Sequence, residues 1–186
     1  MGRLIYVTPA SLDGFIGDGD YSWSAPYAEE VMSVLTAGLA DVGTYLYGRR
    51  TYETMAVWET DPALAAASEL RAEFANVWQR SDKIVHSTTL PAVSTARTRL
   101  ERRFDADAVR TLKETATDVM TVGGADFAAQ VFDAGLVDEC HLFVCPVVVG
   151  AGKPAFAGNA PEQLDLQDER RFDNGEVYLR YRVQPR

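Results

Sequence analysis

A β-rich run that ends in a small or polar turn and leads into a helical pattern recurs along this chain, and that recurrence limits the fold more than any other feature. Thr44 to Tyr47 runs into Gly48-Arg49-Arg50-Thr51-Tyr52-Glu53, where a helix begins. Val119 to Val122 meets Gly123-Gly124 and then a helix over Asp126 to Ala134. Leu4 to Thr8 is followed by a polar loop marked by Asp13-Gly14 and Gly17-Asp18-Gly19-Asp20, a segment placed to act as a lid. After Trp23, Ser24 or Pro26 opens an amphipathic helix through Glu29, Val31, Leu35 and Leu39, whose apolar spacing alternates threes and fours.

The remaining segments complete the pattern. Pro62 to Trp78 reads as a further, Ala-rich helix, Lys83 to Ser87 as a strand, Thr98 to Phe104 as an edge strand and Asp107 to Thr115 as a helix. From Asp138 onward the signal turns to β: Cys140 to Val149, Leu164 to Phe172 and Glu176 to Val183, with Asn174-Gly175 marking a hairpin. Strand-to-helix units followed by a β tail predict an α/β fold with a mostly parallel sheet, helices on both faces and an antiparallel C-terminal part. In such sheets ligands sit beyond the carboxyl ends of the strands, which places the site at Gly48, Ser87 and Gly123.

Size and charge narrow the function classes. At 186 residues, 47% hydrophobic and 24% charged, residues 1–186 read as one globular domain. The net charge is −9, and no run of lysine and arginine forms a stripe for a nucleic-acid backbone. No stretch approaches the ~18 to 20 apolar residues of a membrane span, and the strand-like N-terminus lacks a secretory apolar region, so a cytoplasmic location is expected. Cys140 and Cys145 are separated by an odd number of positions, so on one strand they point to opposite faces and read as reduced packing residues. His86 and His141 have no partner at ligand spacing, and no metal site is expected.

Two turns carry the chemistry. Gly123-Gly124 allows the backbone to approach a pyrophosphate closely, and the helix behind it offers unpaired N–H groups and a positive dipole end. Taken alone, the pair is equally a tight turn with no ligand. Gly48-Arg49-Arg50-Thr51 adds two guanidinium groups and a hydroxyl at another strand end, where arginine is unfavourable against the helix dipole unless it meets an anion. Two phosphate sites suit a dinucleotide.

The order Ser11-Leu12-Asp13-Gly14, Trp23 and Pro26, Gly48-Arg49-x-Thr51-Tyr52-Glu53, Val122-Gly123-Gly124-Ala125, and Cys145-Pro146-Val147 through Gly150-x-Gly152 resembles the bacterial dihydrofolate reductase-like family that includes the reductase domain of riboflavin biosynthesis. The resemblance covers nearly the whole chain. It implies an NADPH-dependent reductase with a mostly parallel eight-stranded sheet, the cofactor lying across the strand ends. Gly48, Arg49, Arg50 and Thr51 would hold cofactor phosphates, including the 2′-phosphate. Ser87 and Thr88 would lie beside the adenosine end, and Gly123, Gly124 and Ala125 would form the pyrophosphate turn. Relatives often pair as homodimers through the C-terminal β segment, for which the apolar run Leu142 to Val149 is available, although a buried central strand explains that run equally well.

Hydride transfer to a C=N or C=O group needs a proton for the neighbouring heteroatom. Asp13 is the first candidate donor, Glu30 the second and Glu29 the third, the last two by the resemblance of their helix to the one that carries the acidic residue of dihydrofolate reductases. Ala28 stands where that acid is expected. This favours a pteridine or a riboflavin precursor such as 5-amino-6-(5-phosphoribosylamino)uracil over dihydrofolate. A non-catalytic nucleotide-binding module and a true dihydrofolate reductase are the alternatives. The zinc-deaminase signature is absent from the sequence, which predicts a reductase without a fused deaminase.

Overall fold

The structure, a computed structural model, describes residues 2–16, 28–159 and 163–185. In chain order its elements are β1 (Leu4–Ser11), β2 (Phe15–Ile16), α1 (Glu29–Leu39), β3 (Val42–Gly48), α2 (Arg49–Met55), α3 (Val57–Thr60), α4 (Pro62–Ala65), α5 (Glu69–Arg80), β4 (Asp82–His86), β5 (Thr98–Glu101), α6 (Ala106–Thr115), β6 (Val119–Gly123), α7 (Ala125–Asp133), β7 (Glu139–Cys145), β8 (Lys153–Pro154), β9 (Leu164–Arg171) and β10 (Val177–Val183).

An eight-stranded sheet runs β5-β4-β3-β6-β1-β7-β10-β9. Neighbours from β5 through β7 are parallel, whereas β10 is antiparallel to both β7 and β9. The expected architecture is therefore present. Alternation along the strands sorts side chains into two layers, as the period of two requires. Leu4, Tyr6, Leu46, Ile84, Met120 and Val122 pack against Val109, Phe127, Val131 and Phe132 of α6 and α7. Ile5, Tyr45, Tyr47 and Val85 face Met32, Tyr52, Phe74 and Trp78 of α1, α2 and α5. Parallel strands covered on both faces account for the continuous apolar runs in β1, β3 and β6.

Three boundaries differ from the sequence reading. The helix expected over Pro62 to Trp78 is two helices. Ser68 lies in extended backbone and its Oγ accepts from the Arg71 N–H at 3.2 Å, so a new helix starts there despite the alanines before it. The strand expected to reach Val149 stops at Cys145, because Pro146 has no N–H to give and the Val147 N–H turns back onto the Cys145 carbonyl at 2.8 Å. The edge strand expected to reach Phe104 ends at Glu101, and it does lie at the sheet edge. The loop at Gly17 to Asp20 and the helix start at Trp23, Ser24 or Pro26 fall outside the described residues, and the described part of that helix begins at Glu29.

The hairpin at Asn174-Gly175 is present, with Gly175 at φ +88°. Cys140 and Cys145 are both buried, and neither is in a disulfide. The run from Leu142 to Val144 is paired on both sides, by β1 and β10, so its hydrophobicity follows from its central place in the sheet. Among the described residues no helix is long and apolar enough to cross a membrane, and no group of His, Cys, Asp or Glu forms a metal site.

Candidate functional site

A cleft of about 1500 Å³ opens beyond the carboxyl ends of the parallel strands. Gly48, Ser87 and Gly123, the final residues of β3 and β6 and the residue after β4, all line it. Sheet topology brings them together: β3 hydrogen-bonds to β4 on one side and to β6 on the other, so the three strand ends are adjacent.

The turns after β3 and β6 touch each other. Gly124 is at φ +91°, a conformation that favours glycine, and a Cβ there would lie 2.5 Å from Thr51 Oγ1. A Cβ on Gly123 would lie 2.9 Å from the Tyr47 ring and 3.1 Å from Thr51 Cγ2. Thr51 of the first turn is thus seated on the glycines of the second. This contact is a reason for glycine that the sequence did not show, and it leaves the backbone of the Gly123-Gly124 turn on the cleft wall. Ala125 lines the cleft as well and is otherwise buried.

Helix starts differ along the chain, and α1 and α3 begin without a side-chain cap. The α4, α5 and α6 starts carry side-chain caps from Asp61, Ser68 and Asp105. By contrast, α2 begins after Gly48 and α7 after Gly124, neither with a side-chain cap. The first N–H groups of α7 are left for a partner in the cleft.

One end of the cleft is cationic, lined by Arg49 and Arg50 after β3, Ser87, Thr88 and Thr89 after β4, and Arg102 and Arg103 after β5. These arginines are not equivalent. Arg49 donates to Glu53 at 2.8 Å and to Thr89 Oγ1 at 3.1 Å. Arg102 donates to the carbonyls of Leu90 at 2.6 Å and of Ser87 and Pro91 at 3.4 Å, holding the loop after β4. Ser87 Oγ accepts from the Leu90 N–H at 2.9 Å, which fixes the same loop from within. Arg103 is exposed and has no hydrogen bond or ion pair among the described residues. Its neighbours are fixed, Arg102 by the loop and Phe104 by edge-on contacts with His86 and Phe127. Arg102 and Arg103 did not stand out in the sequence, although a paired arginine just after an edge strand was the available signal.

His86 stacks on Phe127 with ring centres 4.5 Å apart. Burial holds its imidazole below the usual pKa, so it is neutral at pH 7, and its Nδ1 is buried with no partner. This makes it a packing residue in the cleft wall, in keeping with the role expected from the sequence.

The other end is apolar. It is lined by Val7, Thr8 and Pro9 of β1, Ile16 of β2, Leu35 and Leu39 of α1, Met55, Phe74 and Phe143. Lys153 also reaches the cleft and pairs with Asp126 at the start of α7.

The acid candidates lie elsewhere. Asp13 does not line the cleft; its carboxylate accepts from Ser11 Oγ at 2.7 Å, from the Gly150 N–H at 2.8 Å and from the Val149 N–H at 3.2 Å. The Ser11 hydrogen bond, followed by those from the backbone, holds its pKa below the ordinary carboxylate value, which suits a clamp between two loops and opposes a role as proton donor. Glu30 is paired with Arg170 at 2.5 Å, and neither it nor exposed Glu29 lines the cleft. Asp13 and Glu30 thus do not line the cleft, and their carboxyl groups are engaged in these contacts.

Comparison with known proteins agrees with this geometry. Residues 3–178 match the RibD C-terminal domain family. The chain belongs to that family. An uncharacterized protein of Bacillus subtilis strain 168 is 26% identical over 183 residues, covering 96% of this chain and 94% of the relative. Among solved structures, a putative riboflavin biosynthesis protein from Shewanella sp. PV-4 superposes with a TM-score of 0.74 at 18% identity, over 98% of this chain and 99% of the other. A pyrimidine reductase-like protein from Corynebacterium diphtheriae gives a TM-score of 0.65 at 15% identity, over 100% and 93%. These two likenesses establish the shared fold of the RibD type.

Proposed function

We propose that this RibD-type domain is a reductase that binds NADPH in the cleft and reduces a small planar heterocycle. The observation that carries the reading is the joining of two glycine turns from separate strands, Gly48 to Thr51 and Gly123 to Ala125, at one cleft whose far wall is apolar. The cleft exceeds the roughly 300 to 1,000 Å³ of a single small-ligand pocket, which suits a dinucleotide together with an acceptor.

The residues fit such a cofactor. Arg49, Arg50 and Arg103 offer guanidinium groups for phosphate oxygens, Ser87 to Thr89 frame the adenosine end, and the open start of α7 receives the pyrophosphate. When bound, NADPH supplies the hydride. Val7, Leu35 and Phe143 exclude water from the acceptor, and the walls of β1 and α1 set its plane. With Asp13 and Glu30 engaged elsewhere, the proton comes from solvent at the cleft mouth.

A specific observation favours a second reading, a nucleotide-binding module without catalysis: no free carboxyl group lines the apolar end among the described residues. Single-turnover oxidation of bound NADPH, followed by its absorbance against a panel of pterins and uracil riboflavin precursors, separates the two. Acceptor-dependent loss of absorbance supports the reductase. Tight NADPH binding with no such loss supports the module, and failure to bind NADPH overturns both.

A further inference from the structure

The charge of the cleft is divided between its ends, and this division bears on what the acceptor can carry. Four arginines line the wall contributed by the segments after β3 and β5: Arg49, Arg50, Arg102 and Arg103. The wall built by β1, α1 and β7 presents Val7, Pro9, Leu35, Leu39 and Phe143. The single lining cation on that side among the described residues is Lys153, and its ammonium group is paired with Asp126. Arg170 does not line the cleft, and its guanidinium is paired with Glu30 of α1.

Backbone donors tell the same story. The start of α1 is the helix N-terminus on this side, and it carries its own anions, Glu29 and Glu30, in the first turn. A further anion placed there would meet the exposed carboxylate of Glu29, which has no ion-pair partner among the described residues, whereas Asp126 in the first turn of α7 is paired with Lys153. Residues 17–27 and 160–162 contain neither lysine nor arginine, so the sequence there adds no cation.

From this we infer that the acceptor is a planar heterocycle without a phosphate group, so that the chain reduces a nucleoside-like or free-base compound in preference to a phosphoribosylated one. The inference rests on the nicotinamide reading, in which the cationic end is filled by cofactor phosphates. A second phosphate on the acceptor would then be pressed against apolar side chains, where an unpaired charge is strongly disfavoured, while a neutral ring gains from burial there.

The test uses the full chain saturated with NADP⁺ and calorimetric titration with three probes: 5-amino-6-(ribosylamino)uracil, its 5′-phosphate, and a pterin without phosphate. The expected result is at least tenfold tighter binding of one of the two phosphate-free compounds than of the phosphate ester. Equal or tighter binding of the ester overturns the inference, and so does the failure of all three probes in a protein that still binds NADP⁺. Failure to bind NADP⁺ strikes the cofactor reading itself and removes the basis of the inference with it. Leu35→Arg checks the cause, because a cation on the apolar wall should raise affinity for the ester at least tenfold; a correctly folded variant with unchanged preference overturns the charge argument.

Discussion

The start of α6 and the start of α7 are built from opposite materials. Asp105 folds its carboxylate over the N–H groups of Asp107 and Ala108 at 3.0 and 3.1 Å, so α6 is complete in itself. At α7 the same position is Gly124, with no side chain to give, a left-handed backbone and Thr51 packed where a Cβ would be. Of these two, α6, which does not line the cleft, satisfies its own first turn. α7, which faces the cleft, leaves that turn open and has Thr51 of a neighbouring turn packed against it.

The sharpest way to break this contrast is Gly124→Val. Positive φ and the clash with Thr51 together should cost on the order of 3 kcal/mol of stability, read by denaturant unfolding, and NADPH affinity should fall at least a hundredfold. Retained affinity in a folded variant would show that the turn does not receive the cofactor. Next in size is the arginine pair. Arg103→Ala should weaken NADPH at least tenfold while leaving NADH little changed, and Arg49→Ala should do less, because Glu53 already balances its charge. Equal losses of both cofactors in Arg103→Ala would remove Arg103 from the 2′-phosphate.

Asp105→Ala supplies the other side of the comparison. Loss of the cap should lower stability by about 1 kcal/mol and leave NADPH affinity unchanged, so a change in affinity would mean that the two helix starts are not separable. The smallest effect concerns His86. Its folded pKa is depressed by burial below 6.5, so the unfolded chain takes up the proton first as pH falls and the folded state loses stability on the acid side of that value. His86→Phe keeps the stack on Phe127 and removes this loss. The stability of the variant relative to the parent should therefore rise between about pH 7 and about pH 5, with a slope no greater than about 1.4 kcal/mol per pH unit. A pH-independent difference would show that the ring does not titrate with unfolding.

Much of the architecture was legible because it depends on local periodicity and turn chemistry. The β-rich runs Leu4 to Thr8 and Val119 to Val122, the glycines at the ends of β3 and β6, and Asn174-Gly175 all act over a few residues. The break between α4 and α5 was less visible, since alanine favours helix on both sides and a single serine cap decides the matter. At the site, the turn residues were legible and the acids were not. Asp13 reads as free until β1 is laid beside β7, which brings Val149 and Gly150 onto its carboxylate. Likewise Glu30 is engaged by Arg170, 140 positions away along the chain.

By itself the sequence determined the strand-and-helix order, the two glycine turns and the absence of any lysine or arginine from residues 17–27, all of them matters of composition and short-range pattern. Tertiary structure alone decided which polar groups remain available. Pairing of β3 with β6 set Thr51 on Gly124, the loop after β4 occupied Arg102, and Arg103 was left without a hydrogen bond or ion pair among the described residues. A charged side chain acts through what it meets within a few ångströms, and those meetings are made between residues far apart in the chain.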